Sequence, residues 1–336
     1  MMLLWLFEVN SFKILMAWIY KHLTFILQHF IFFKNHGVDS IIAPYSAGDI
    51  MTFRDILNEA TRQLEAADIS SARLDAEVLL AFCLQCDRLE FLKNPDGMVG
   101  EKSLAAFQNC LSRRLRREPV AYITGRKAFW TFFLEVNQDV LIPRPDTEII
   151  VEETLDICRK TETSILHILD VGTGSGAIAL ALAKELPQAK ITATDFSAAA
   201  LAVARKNALA LKLADRIDFH PGNLFEPASG VFDIIVCNPP YISEDEYKEL
   251  PAGVKNYEPA GALLAGKKGT EFYEKLIRQA PDYLQKNGWL LLEIGAKQEE
   301  AVRRLLDKSG FYQDVAMRRD YAGLPRVMRA RRKTNG

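Results

Sequence analysis

Two short stretches of this 336-residue chain hold residue types that can do chemistry together. The first is Asp170-Val-Gly-Thr-Gly-Ser-Gly176, which closes an apolar, β-type run and opens a helical one. Glycines at such a junction permit a tight turn and a close approach of the main chain to a ligand. Asp195 ends the next β-type run, and an acidic side chain there can accept both hydroxyls of an adenosine ribose. Two cofactors suit this arrangement. A nicotinamide dinucleotide would set its pyrophosphate on the helix N-terminus, and Gly172-x-Gly174-x-x-Ala177 also reads as the G-x-G-x-x-A form. S-adenosylmethionine has no phosphate and would lay its amino-acid end over Gly172–Gly176. The loop by itself leaves both open, together with a plain glycine turn that binds nothing.

The second stretch, Asn238-Pro-Pro-Tyr241, follows the apolar run Asp233-Ile-Ile-Val-Cys237. Ligands in open α/β sheets bind outside the carboxyl ends of the strands, so its position is as informative as its content. Two consecutive prolines remove two N–H donors and fix φ twice. The Pro239 carbonyl is left as an acceptor, Asn238 adds a side-chain carbonyl, and Tyr241 adds an aromatic face. Together Asn238, Pro239, Pro240 and Tyr241 can take both hydrogens of a planar –NH2 group and cover its π face. Such a nitrogen is a poor nucleophile because its lone pair is delocalised. Aiming that lone pair at the methyl of a sulfonium is catalysis by orientation and electrostatics, with no metal required. The second motif therefore favours S-adenosylmethionine over the dinucleotide, with Asn238, Pro239 and Tyr241 as the catalytic candidates. A Pro-Pro turn after a buried strand is the plain alternative.

The elements that must position these stretches can be read from periodicity. Strand candidates are 165–171, 190–194, 217–220, 232–237 and 289–294. Helix candidates are 177–185, 198–213, 271–284 and 297–308. This alternation predicts a parallel α/β sheet with helices on both faces. Two final strands, 311–317 and 327–331, have no helix between them and read as an antiparallel pair at the sheet edge. Upstream, Thr52-Phe-Arg-Asp55 reads as a capping box before the stripe Phe53, Ile56, Leu57, Ala60 and Leu64. Leu74, Val78 and Phe82 mark a second helix, and Ser103 caps a third. That third helix carries Arg113, Arg114, Arg116 and Arg117, a run that reads as a solvated face. A helical bundle over 51–118 and a β-hairpin linker over 119–145 follow. The linker's strands are 129–136 and 140–142, about a turn at Asn137-Gln-Asp139. Asp146, after the stiff Pro143-Arg-Pro145, can cap the helix that opens a catalytic domain over 146–336.

Composition narrows the class. Net charge is −1, so no global attraction to nucleic acid is expected. Five cysteines, scattered apart from Cys83 and Cys86, fit a reducing cytoplasm better than a disulfide framework. Residues 1–50 are rich in Leu, Ile, Phe and Trp. Glu8, Lys13 and Lys21 interrupt the run, which falls short of the roughly 20 apolar residues of a membrane helix. They read as an extension outside the fold.

D-x-G-x-G-x-G, an acidic strand end and N-P-P-Y form the pattern of class I (Rossmann-like) N-methyltransferases. The wider sequence resembles the HemK/PrmC family of protein-(glutamine-N5) methyltransferases over essentially 51–332. The resemblance is carried by Ala72-Arg-Leu-Asp-Ala-Glu77, Glu118-Pro-Val-Ala-Tyr-Ile-Thr-Gly125 and Leu141-Ile-Pro-Arg-Pro-Asp-Thr-Glu148. Asn238-Pro-Pro-Tyr-Ile242, Tyr257-Glu-Pro259 and Leu292-Glu-Ile-Gly295 continue it. It implies cofactor contacts at Gly172, Thr173, Gly174, Ser175, Gly176, Asp195, Leu224 and Asn238, and binding of a glutamine by Asn238 to Tyr241. Family members often carry Asp in the segment that here reads Gly222-Asn-Leu-Phe225. Asn223 can bond adenine there only as a neutral amide. The implied reaction is methylation of the Gly-Gly-Gln glutamine of class-1 peptide chain release factors. The alternatives are a ribosomal-protein glutamine or an exocyclic amine of DNA or RNA.

Overall fold

The computed structural model describes residues 51–160 and 166–334. The expected extension over residues 1–50 lies outside them, as does Ile165. The chain divides into two compact units, with the break between Arg116 and Arg117. No described helix is long and apolar enough to cross a membrane.

The first unit is helical. Its first helix, Phe53–Ala66, starts at Thr52, whose hydroxyl takes the Asp55 N–H at 3.2 Å while the Asp55 carboxylate takes the Thr52 N–H at 3.3 Å. Phe53, Ile56, Leu57, Ala60 and Leu64 are buried along it. The second helix, marked in the sequence by Leu74, Val78 and Phe82, is Ala72–Leu84; its buried residues include Ala72, Asp75, Ala76, Leu79 and Leu80, while Leu74 is half exposed. Two sequence expectations need correction. The helix Glu101–Leu115 starts from Gly100, and Ser103 lies inside it without capping. Arg114 turns inward to Asp75, Nε to Oδ2 2.7 Å, so the arginine run is not all solvated.

The second unit carries β1 (Arg126–Phe129), β2 (Phe132–Glu135), β3 (His167–Val171), β4 (Lys190–Asp195), β5 (Ile217–Pro221) and β6 (Phe232–Cys237). It continues with β7 (Ile242–Ser243), β8 (Leu264–Gly266), β9 (Leu284–Glu293), β10 (Tyr312–Arg319) and β11 (Pro325–Arg332). Seven of these strands form one sheet in the order β10-β11-β9-β6-β3-β4-β5. β3, β4, β5, β6 and β9 are parallel, and β11 and β10 run antiparallel at one edge. This is the parallel α/β sheet with an antiparallel edge pair that the alternating pattern predicts, and it has the class I methyltransferase fold that the resemblance implies. One face packs on the helices Glu148–Cys158 and Ala177–Glu185, through residues such as Ile150, Leu180 and Leu182. The other packs on Glu271–Tyr283 and Glu299–Ser309, through Tyr273, Leu276, Val302 and Leu306. The chain leaves β3 toward β5 on one side and returns to β6 on the other. The carboxyl ends of β3 and β6 therefore border a crevice.

The hairpin differs from expectation. It is β1 and β2, in register from Arg126↔Glu135 to Phe129↔Phe132, and it turns at Trp130-Thr131. Trp130 takes φ +54°, costly for a bulky residue. Its N–H bonds Glu148 Oε1 and its indole N–H bonds Glu185 Oε1, both at 2.8 Å, which holds it there. Asn137-Gln-Asp139 does turn, with the Asn137 side chain taking the Asp139 N–H at 3.0 Å. No strand follows. The Val140 carbonyl accepts from the Tyr122 hydroxyl at 2.6 Å, and the Ile142 N–H goes to Glu258 Oε2 at 3.1 Å. With those main-chain groups satisfied, 140–142 needs no pairing partner. Asp146 does not cap the next helix either. It lies in the 3-10 turn Pro145–Thr147 and pairs with Arg326 at 3.0 Å.

Candidate active site

A cavity lies over the carboxyl ends of β3, β4 and β6, with Gly172–Ser175, Asp195 and Asn238–Pro240 on its wall. The glycine loop is built for exposed main chain. Gly172, Gly174 and Gly176 have φ of +74°, +56° and +85°, where a side chain is strained. A Cβ on Gly172 or Gly174 would meet no atom within 4 Å, whereas one on Gly176 would press Leu180 at 3.0 Å and Ala204 at 3.3 Å. The first two glycines thus open space toward the cavity, and the third lets two helices close. Gly176 itself is buried, off the cavity wall.

Three polar side chains fasten the loop. Asp170, fully buried, takes the Thr173 hydroxyl at 2.7 Å and the Ala179 N–H at 3.1 Å on Oδ2. Burial pushes its carboxyl up to about 7. Asp195 takes the Gly174 N–H at 2.8 Å on Oδ2 and the Ser197 N–H at 2.9 Å on Oδ1. Burial raises this carboxyl too, against those two bonds. Each carboxylate oxygen has a second lone pair, so Asp195 keeps acceptor capacity for a ribose. Asn207 bonds the Ser175 carbonyl at 2.9 Å and both main-chain groups of Glu135, tying the loop to the hairpin. Asn207 was not singled out from the sequence. An amide amid the alanines and leucines of the helix Ala198–Ala210 was the available signal.

The far wall is apolar. Phe196, 68% exposed and next to Asp195, lines the cavity together with Leu224 and Ile178. Leu224 holds φ +49°, and its carbonyl accepts from the Thr194 hydroxyl at 3.0 Å. Asn223 lines the same side, exposed. Phe196 is a further residue that sequence reasoning passed over.

On the β6 side, Asn238 is half-buried and Pro239 buried. Asn238 Nδ2 donates to Thr147 Oγ1 at 3.2 Å, so its other end, the acceptor Oδ1, is free for the cavity. Thr147 comes from the stiff segment before the helix Glu148–Cys158 and shares the wall. Tyr241 departs from the expected placement. It does not line the cavity but packs beside the buried cluster of β6, β9 and Tyr273. Its carbonyl accepts from Gln298 Nε2 at 2.9 Å, and burial pushes its phenol up to about 12. Arg144 Nη2 bonds Glu258 Oε1 at 2.6 Å, and Glu258 also holds Ile142, so Tyr257-Glu-Pro259 clamps the segment that carries Thr147.

Residues 55–125 match the family described as PrmC N-terminal domain, and residues 154–253 the family described as methyltransferase small domain. A release factor glutamine methyltransferase of Rhodopirellula baltica is 39% identical over 262 residues, covering 77% of this chain and 88% of that protein. One from Vibrio cholerae is 41% identical over 286 residues, covering 84% and 98%. Among solved structures, the release-factor-specific protein-(glutamine-N5) methyltransferase of Alicyclobacillus acidocaldarius is 29% identical, covering 60% of this chain and 99% of that one, with TM-score 0.35.

Proposed function

The chain belongs to the release factor glutamine methyltransferase family, and from that premise and the cavity we infer that it methylates the side-chain amide nitrogen of the Gly-Gly-Gln glutamine in class-1 peptide chain release factors. S-adenosylmethionine supplies the electrophilic methyl group on its sulfonium. The residues present fit it: an open loop at Gly172 and Gly174, the Asp195 carboxylate for the ribose, and Phe196 with Leu224 for the adenine. Thr173, Ser175 and Asn223 complete the proposed cofactor set, while Gly176, off the cavity wall, lets the helices behind the loop close.

The observation that carries the reading is the pair of acceptors after β6. Asn238 Oδ1 and the Pro239 carbonyl take the two hydrogens of the glutamine –NH2, which orients its lone pair toward the methyl group. The nitrogen forms its bond to carbon as the carbon–sulfur bond breaks, and the surplus N–H proton leaves to solvent. Pro240 keeps this main chain rigid, and Tyr241 buttresses it from behind. The helical residues 51–118 dock the folded substrate protein, and 119–145 link them to the catalytic residues 146–336. A cytoplasmic site of action fits the free cysteines and the substrate.

The test is transfer of labelled methyl to three substrates: an intact release factor, the same factor with its glutamine changed to alanine, and an isolated Gly-Gly-Gln peptide. Labelling of the first alone, with weak labelling of the peptide, is the expected result, because the peptide lacks remote binding energy. Efficient labelling of a ribosomal protein or a DNA oligonucleotide, with none of the release factor, overturns it.

A further inference from the structure

Gln298 joins four separate segments behind the cavity. It stands half-buried just before the helix Glu299–Ser309. Its Nε2 donates to the Tyr241 carbonyl at 2.9 Å and to the Gly269 carbonyl at 3.1 Å. Its Oε1 takes the Gly295 N–H at 3.0 Å, and the Tyr273 hydroxyl lies 3.1 Å from it. An amide has two donor hydrogens and an oxygen with two lone pairs, so this side chain is fully used. Turned round, it would set its oxygen against two carbonyls and its nitrogen against an N–H, so its partners fix its orientation. The neighbouring glycines are fitted to it. A Cβ on Gly295 would come within 2.8 Å of Oε1, and one on Gly269 within 3.0 Å of Nε2 and 2.8 Å of the Tyr241 carbonyl.

What Gln298 holds is the exit of Asn238-Pro-Pro-Tyr241. Pro239 and Pro240 carry no N–H, so no main-chain donor can fasten the middle of the segment. Its two ends must set it. At the upstream end, Cys237 of β6 pairs with Val171 of β3 and Leu292 of β9. At the downstream end, the Tyr241–Ile242 peptide is gripped on both edges. Gln298 holds its carbonyl, and its N–H goes to the Leu263 carbonyl at 3.0 Å. With φ fixed at both prolines, holding that peptide plane leaves the Pro239 carbonyl little freedom.

We propose that Gln298 is a positioning residue for methyl transfer: by holding the Tyr241 carbonyl, it keeps the Pro239 carbonyl and the Asn238 amide aimed at the reacting nitrogen. This rests on the reading that those two acceptors take the glutamine –NH2. Gln298 lies off the cavity wall, so its loss should appear in kcat and not in binding. A displacement of the acceptors on the order of 1 Å is enough to slow a reaction about 100-fold.

The experiment compares three full-length variants with the wild type in methyl transfer to an intact release factor. It measures kcat and KM separately, S-adenosylhomocysteine affinity by calorimetry, and melting temperature. Gln298→Glu keeps the shape and the acceptor side but sets an oxygen against the Tyr241 and Gly269 carbonyls. Its kcat should fall roughly 10–100-fold, with KM and product affinity within about threefold of wild type. Gln298→Met keeps the length without the bonds or a charge, and its kcat should fall roughly tenfold. It carries the test if the carboxylate variant does not fold. Tyr273→Phe is the structural comparison. It removes the hydroxyl that lies 3.1 Å from both Oε1 and the Glu293 carbonyl, and it leaves both Nε2 bonds in place. Its melting temperature should drop by roughly 2–4 °C with kcat within about twofold of wild type.

A release factor labelled at near-normal kcat by both Gln298 variants overturns the proposal alone. So does a loss that falls on KM or product affinity in place of kcat. A kcat loss in Tyr273→Phe as large as theirs makes Gln298 a structural link only and also overturns it. If the wild-type enzyme labels no release factor, the functional reading falls and takes this proposal with it.

Discussion

The two sides of the cavity are supported in different ways. On the cofactor side the protein offers main chain, fastened by short-range bonds: Asp170 to Thr173 and Ala179, and Asp195 to Gly174 and Ser197. On the substrate side it offers a single side-chain amide, bonded to Thr147, 91 residues away in sequence. A cofactor common to many enzymes can be held by a local loop. A delocalised nitrogen needs an acceptor of defined polarity, and that takes groups from two separated segments.

The contrast is broken most sharply at Asn238. Asn238→Ala removes an acceptor for the reacting amide, and kcat should fall by roughly 10²–10³-fold. Cofactor affinity, measured by calorimetry, should change by about threefold or less, because Asp195 and the glycine loop remain. Equal losses in both would make Asn238 a cofactor ligand first and dissolve the distinction between the two sides.

Asp195→Ala is the converse change. It frees the Gly174 and Ser197 N–H groups, and S-adenosylmethionine should bind roughly 10–100-fold more weakly, since bonds to a charged group are worth about 1.5–3 kcal/mol. At saturating cofactor the kcat should stay within several-fold of wild type. A collapse of kcat with unchanged affinity would move Asp195 to the chemical side.

How far the sequence reaches follows from this same difference. The glycine loop, Asp195 and N-P-P-Y are legible because their constraints are local: φ angles, a strand end, two prolines. The parallel sheet and its antiparallel edge pair are legible too, since apolar strands alternate with helices and a final pair lacks one. Thr147 and Asn207 escape notice because their meaning lies in partners far along the chain. The hairpin was misplaced for a related reason. Asn137-Gln-Asp139 has the composition of a turn and makes one, but Trp130 holds the actual hairpin turn through Glu148 and Glu185, which no local rule supplies.

Stability should depend on pH through Glu293. Its folded carboxyl sits at about 7 against an ordinary 4.5, so the folded state keeps a proton that the unfolded chain gives up. The stability this contributes is complete below about 4.5 and is lost as pH rises through about 7. Glu293→Gln should remove that loss, raising the melting temperature at pH 8 by roughly 5 °C. A melting temperature at pH 8 no higher than that of the wild type would contradict the raised carboxyl.

The smallest effect belongs to Gly174. A Cβ there meets nothing within 4 Å, yet φ is +56°. Gly174→Ala should therefore cost about 1–2 kcal/mol in urea unfolding, from backbone strain alone. A loss well beyond that would show that the loop has a packing role the open space does not suggest.

The most direct measurement is tandem mass spectrometry of an intact class-1 release factor after incubation with the full chain and isotope-labelled S-adenosylmethionine, with the Asn238→Ala enzyme run in parallel. One labelled methyl on the side-chain nitrogen of the Gly-Gly-Gln glutamine, nearly absent with the variant, is the predicted result. Label on another residue, or equal labelling by the variant, would contradict the assignment of the β6 acceptors to that amide.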